Sequence, residues 1–198
     1  MLLENKNEKN KINLSELSNK DLLKLILHLY DNKKYHEVIR ITDKINLKNS
    51  DQYWVFYLRG SSYSKLNYFD EAIENFNKCL IMQPESASCY FELANIYLET
   101  KDFKNADLYY NEAIFKKHDY IEAITNLAKL YKETNNFEKS KIYINEALKI
   151  NPKYPEALNL FGTLSEAQND LITASLNYKK SSQLDPTYYE PTYNLSLV

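Results

Sequence analysis

Glycine is nearly missing from this sequence. Two glycines and five prolines in 198 residues leave little material for the tight turns of a hairpin-rich β-protein, so helices are expected. Cysteine is scarce as well. Cys79 and Cys89 are too few for a disulfide framework and share no metal-ligand spacing with His28, His36 or His118. They read as small buried side chains in a reducing compartment rather than as a redox pair. No apolar run approaches the length that crosses a bilayer, and the opening "MLLENKNEKNKINL" has no apolar core of signal-peptide length. The expectation is a cytoplasmic chain without membrane insertion, in which the sequons at Asn13 and Asn194 are chance features of an Asn-rich sequence.

Surplus positive charge is absent too. The formal net charge is −2 and the cations are interleaved with carboxylates, which argues against a nucleic-acid partner. Missing as well are a Gly-rich phosphate loop, a nucleophile elbow and a metal-ligand cluster, so no catalysis, cofactor or metal is expected. Most carboxylates that stand at helical spacing from a lysine, such as Glu74 with Lys78, read as solvated surface pairs.

What the chain does have is a repeat. "FDEAIENFNKCLIMQP" (Phe69–Pro84) returns as Phe103–His118, Phe137–Pro152 and Leu171–Pro186, each 34 residues after the last. The period divides the chain into 19–52, 53–86, 87–120, 121–154 and 155–188, with a partial unit 189–198 and a flexible tail at 1–18. Every unit holds two amphipathic runs of helical period joined by a short polar turn. Gly60, Ala94, Ala128 and Gly162 share the eighth place, and Ala72, Ala106, Ser140 and Ala174 the twentieth. Small side chains at both places let two helices approach closely. Phe56, Tyr90, Ile124 and Leu158 fill the fourth place, and Phe76, Tyr110, Ile144 and Tyr178 the twenty-fourth. Cys79, Ala113, Ala147 and Ser181 make the twenty-seventh small again, where the next unit's first helix is expected. Pro84, Pro152 and Pro186 end the second helices. The first unit departs from this scheme with Val38 and Ile45 in small places, and Ser18 with Asp21 is expected to cap its first helix.

This pattern resembles the tetratricopeptide repeat (TPR) family, strongly over 53–188 and weakly over 19–52. The resemblance implies an all-α, right-handed α-solenoid of about five helix-turn-helix units plus a partial sixth first-helix. It further implies a scaffold that holds a peptide or helix of a protein partner in a concave groove lined by first helices. The groove places carry Trp54, Tyr57, Leu58, Ser61, Phe91, Glu92, Asn95 and Leu98, then Thr125, Asn126, Lys129, Lys132, Glu156, Asn159 and Thr163. Trp54, Tyr57 and Phe91 form an expected aromatic patch, with Leu23 and Leu27 expected to pack the irregular first unit. Asn126, Lys129 and Asn159 supply polar groups able to pair with a peptide backbone, and Ser61, Asn95 and Thr125 complete the candidate groove residues. The lysine–asparagine clamp with which some family members take chaperone C-termini is absent.

The pattern stops at Val198 in mid-unit. Half a unit closing the stack and a fragment of a longer protein both fit. In the second case the repeats could be the targeting or substrate-recruiting arm of an enzyme, for example a glycosyl- or sulfotransferase. Self-association through the terminal helices is a third reading.

Overall fold

A computed structural model describes residues 2–3, 12–14, 17–45 and 50–197. The described part is helical throughout apart from one short pairing, in which Leu2–Leu3 (β1) runs antiparallel to Ile12–Asn13 (β2). Most of the tail expected at 1–18 lies outside the described residues. Leu14, near its end, is buried in a cluster with residues of the first three helices.

The chain divides into two compact units, Met1–Glu92 and Leu93–Val198. The first contains α1 (Asn19–Asp31), α2 (Tyr35–Thr42), α3 (Ser50–Lys65), α4 (Phe69–Met82) and the start of α5 (Ala87–Glu99). The Ser18 hydroxyl accepts the Asp21 N–H at 3.2 Å, capping α1 as expected, and donates to the Asp21 carboxylate at 2.6 Å. The Ser18 hydroxyl, with Lys24 nearby, holds the Asp21 carboxyl below its usual range. Leu22, Ile26, Leu29, Val38, Ile41, Val55 and Leu58 form one core with Leu14. Ile26 and Val38 stand where other pairs carry small residues, and α2 is short at eight residues. Its end is held from α3, where Arg59 donates to the Thr42 carbonyl at 2.9 Å and to Asp43 at 3.0 Å. The Glu74–Lys78 pair expected on α4 forms at 2.6 Å on the surface.

The second unit contains the rest of α5, α6 (Phe103–Lys116), α7 (Ile121–Glu133), α8 (Phe137–Ile150), α9 (Pro155–Ala167), α10 (Leu171–Leu184) and α11 (Tyr189–Leu195). Second helices end two residues ahead of Pro84, Pro152 and Pro186, as a residue without an N–H requires. Tyr97 stacks on Tyr109 and Tyr131 on Tyr143, tying α5 to α6 and α7 to α8 at centroid distances of 5.2 and 5.5 Å.

The packing columns read from the period are the buried ones. Ala72, Ala106, Ser140 and Ala174 have no exposed surface, nor do Cys79, Ala113, Ala147 and Ser181, nor Phe76, Tyr110, Ile144 and Tyr178. At the fourth place Ile124 and Leu158 are buried while Phe56 and Tyr90 are half-buried. Between the two helices of each pair the backbone makes the same turn. Lys33, Asn67, Lys101, Asn135 and Asn169, each 34 residues after the last, take φ between 58° and 63°. None is glycine. The left-handed residue lets the chain reverse, and an N–H just beyond it reaches back to the preceding helix: Lys34 to Leu29, Tyr68 to Tyr63, Asp102 to Tyr97, Asn136 to Tyr131 and Asp170 to Ser165.

Candidate functional site

Two concave sites lie on first helices, one in each unit. In the first unit, α1 and α3 enclose an apolar groove of about 610 Å³ lined by Leu23, Leu27, Trp54 and Leu58, with Lys20, Lys24 and Asp51 at its edge. Leu27 and Trp54 are each 50% exposed, which no core function explains. Leu23 packs on the core as expected, but Leu27 does not: it faces the groove instead. The reason is geometric, since Ile26 and Leu22 already fill the buried stripe of α1 and Leu27 falls one residue past it.

Trp54 belongs to a ring cluster. Tyr53 lies edge-on to it at 5.2 Å and Tyr57 at 5.9 Å, and Tyr57 in turn meets the buried Phe76 at 5.8 Å. Tyr57 is half-buried and its hydroxyl donates to Glu92 at 3.4 Å. Ser61 is only 3% exposed, so it sits beneath the face on which it was expected. Phe91 is half-buried.

The second unit carries a polar pocket of about 270 Å³ formed by α7, α9 and α11. Thr125, Asn126, Lys129 and Asn159, four of the residues selected from sequence, line it together with Lys132, Glu156 and Thr163 from the same groove places. Tyr188, Glu190 and Asn194 complete it from the C-terminal end. Two amide pairs organise the polar groups. Asn126 donates to Asn95 Oδ1 at 2.9 Å, and the same oxygen accepts the Tyr110 hydroxyl at 2.7 Å. Asn159 donates to the Tyr188 hydroxyl at 2.9 Å and accepts from Asn194 at 3.1 Å. Thr125 is buried and its hydroxyl donates to the Ile121 carbonyl at 2.8 Å. Lys132 Nζ donates to Thr163 at 3.0 Å, and burial, with Lys129 nearby, lowers its pKa. Lysines from α7 thus stand opposite carboxylates from α9 and α11, with amides between. That set of groups pairs with peptide N–H and C=O and with charged side chains of both signs.

Tyr188 was absent from the sequence-derived candidates although a signal existed: Tyr120 and Tyr154 precede it at the same place in the period, each at the start of a first helix. Among the described residues no group of three or more His, Cys, Asp or Glu is placed to hold a metal ion. No helix among them is long and apolar enough to cross a membrane.

Residues 55–86, 87–114 and 121–154 match the tetratricopeptide repeat family. A TPR repeat-containing protein of Methanocaldococcus jannaschii is 34% identical over 90 residues, covering 41% of this chain and 16% of that protein, so the chain spans about a sixth of that relative's length. The crystal structure of a thermophilic TPR protein from Thermus thermophilus superposes with a TM-score of 0.74 at 16% identity, covering 91% of this chain and 98% of that one. A MamA structure from Desulfovibrio magneticus RS-1 gives 0.71 at 16% identity, over 86% and 96% of the two chains. At such identities the structural likeness speaks for the fold alone. With the period, the buried columns and the matched segments in agreement, this chain is a member of the tetratricopeptide repeat family, with the all-α fold of its solenoids.

Proposed function

We propose that this protein is a non-catalytic scaffold or adaptor of the cytoplasm that holds a peptide or helix of a partner protein on the groove face of its first helices. The observation that carries this reading is the convergence of Thr125, Asn126, Lys129 and Asn159 on one concave polar pocket. Amides and charges of both signs on one concave face are the groups that pair with a polar, chain-like guest. The apolar groove of the first unit supports the same reading, since a half-exposed Trp beside Leu27 has the composition of a binding anchor. The apolar groove takes aliphatic or aromatic side chains, and the amide pocket takes main-chain groups. The unpaired thiols agree with a reducing compartment. No observation favours the reading in which the repeats recruit substrate for an attached enzyme.

The test starts from peptides selected out of a random displayed library on the intact chain, with affinities then measured by calorimetry. Trp54→Ala, and separately Asn126→Ala with Lys129→Ala, should each weaken the selected peptides at least about tenfold, which is about 1.4 kcal/mol, while helical circular dichroism stays intact. Unchanged affinity in both folded variants would move the binding face elsewhere.

A further inference from the structure

The two concave sites differ in what they offer a main chain. The pocket of α7, α9 and α11 holds amides and hydroxyls that pair with peptide N–H and C=O groups. The groove of α1 and α3 does not: its surface is nearly all apolar, and its polar residues, Lys20, Lys24 and Asp51, stand at the edge. An extended peptide laid there would leave main-chain groups desolvated and unpaired, each at the cost of a lost hydrogen bond. A helix satisfies those groups internally and presents side chains alone.

The walls repeat a helical interval. Lys20, Leu23 and Leu27 line the groove from α1, and Asp51, Trp54 and Leu58 from α3. Both sets step by three residues and then four, the spacing at which one helix shows a single stripe to another. On α1 this stripe is separate from the buried one of Leu22, Ile26 and Leu29, so the core does not account for it. Of the lining residues only Leu58 is buried, while Leu27 and Trp54 are half-exposed. Tyr53 and Tyr57 brace the Trp54 ring edge-on, which leaves it little rotamer freedom to lose when a guest packs on it. At about 610 Å³ the groove is larger than one side chain fills, so it suits several from one guest. The edge has a sign as well. Lys20 and Lys24 stand one turn apart, against the single carboxylate of Asp51. Lys24 lies 3.6 Å from the exposed Asp21, and Asp51 accepts from Asn19 at 3.5 Å. Contacts so long and solvated are worth little and yield to a better partner.

Building on the scaffold reading, we propose that the α1–α3 groove takes an amphipathic α-helix of a partner protein rather than an extended segment. The guest's apolar residues, at i, i+3 or i+4 and i+7, seat between Leu23, Leu27, Trp54 and Leu58. An aspartate or glutamate on its flank pairs with Lys20 or Lys24.

The experiment uses the intact chain and peptides selected on it from a displayed library, sorted by whether Trp54→Ala weakens them. Leu27→Asp, at a half-exposed position outside the core of the first unit, repeats the sorting without touching the ring cluster. Peptides that depend on both residues are then made with a central proline, or with an i, i+4 lactam on the face away from their apolar residues, and their affinities read by fluorescence anisotropy. Proline should weaken binding more than about a hundredfold, the factor that breaking a helix interior implies. The lactam should tighten it several-fold by removing part of the ordering cost. Lys20→Glu with Lys24→Glu, both at exposed positions, should weaken the unmodified peptides about tenfold at low salt and less at about 0.5 M salt. Groove-dependent peptides that tolerate proline and lose affinity with the lactam would overturn the proposal and leave the scaffold reading standing. The same holds if every selected peptide depends on Asn126 and Lys129 and none on Trp54 or Leu27. Affinity indifferent to both lysines would overturn the acidic flank. A dimer in sedimentation velocity that Leu27→Asp dissolves would assign the groove to a second copy and overturn the proposal, and peptides that depend on neither face would sink both readings.

Discussion

Adding one methyl group at residue 162 tests the packing argument at its tightest point. Gly162 lies in α9, and a Cβ there would stand 2.4 Å from Tyr178 Cε1, 2.5 Å from Cδ1 and 3.0 Å from Cζ. Carbon atoms prefer about 3.5–4.0 Å, so the ring must retreat by about 1 Å. It has little freedom to do so, being fully buried and anchored by a 2.6 Å hydrogen bond from its hydroxyl to Glu166. Overpacking of this kind costs about 1–3 kcal/mol, while alanine in a helix interior recovers about 1 kcal/mol relative to glycine. The fifth helix shows an escape route. Ala94 coexists with Tyr110 because that tyrosine donates to Asn95 rather than one turn further along its partner helix. If Tyr178 adopts that pose it forfeits the bond to the Glu166 carboxylate, about 1.5–3 kcal/mol. Gly162→Ala should therefore lose about 1–2 kcal/mol, equivalent to roughly 2–8 °C in Tm for a chain of this size. Gly60→Ala is the contrast. Its Cβ would meet Asn75 Cβ and Phe76 Cε1 at 3.2 Å, a conflict that a few tenths of an ångström relieves, so the change should be near neutral. Gly162→Ala with Tyr178→Ile copies the Ala128–Ile144 pair of the same chain and should regain part of the loss. Urea and thermal unfolding followed by circular dichroism measure all three. A Gly162→Ala chain as stable as the parent, or losses of equal size at 60 and 162, would refute the reasoning.

Three further outcomes are expected. Lys101→Asn places at a left-handed corner the residue that three of the five corners already have, and should stabilise by about 0.5 kcal/mol in urea unfolding. Ala106→Leu forces a larger side chain into a crossing with no exposed surface, and should cost about 1–3 kcal/mol or abolish cooperative unfolding. Alkali should unfold the chain. Burial, aided by hydrogen bonds to Asp107 and Glu166, raises the pKa of Tyr131 and Tyr178, and burial pushes Tyr154 up to about 12. The contribution of these groups is fully present below the ordinary tyrosine range, near 10. As pH rises through the window above it, the unfolded chain releases protons first and the fold loses stability. Tyrosinate absorbance and helical signal recorded together should then change in one step, whereas early ionisation with the helices intact would show these hydroxyls to be solvated.

The period made the helix pairs legible because close crossings admit few residue types. The columns at the twentieth, twenty-fourth and twenty-seventh places are small or large for steric reasons that act at each repeat after the first unit, and every residue named in them from 53 onward is buried. Surface chemistry obeys no such rule. Ser61 and Asn95 share the ninth place, yet the serine is sealed in and the asparagine oxygen is already taken by Tyr110 and Asn126. A place in the period says which way a side chain starts, not which hydrogen bonds it accepts at the end. Leu14 escaped notice for a related reason: it precedes the first unit, where no period exists to assign it a face. The left-handed turns were visible only as polar gaps such as "TKD" and "TNN", since lysine is an unusual occupant of that conformation.

Those five corners bear on how the chain meets heat. With asparagine or lysine in a role usually given to glycine, each bend carries some steric cost in the native state. The denatured ensemble is correspondingly narrower, because neither residue roams the mirror-image regions that glycine visits freely. Entropy gained on melting is therefore smaller at every corner. Replacing all five with glycine would ease the bends and yet enlarge the disordered population that competes with them as temperature climbs.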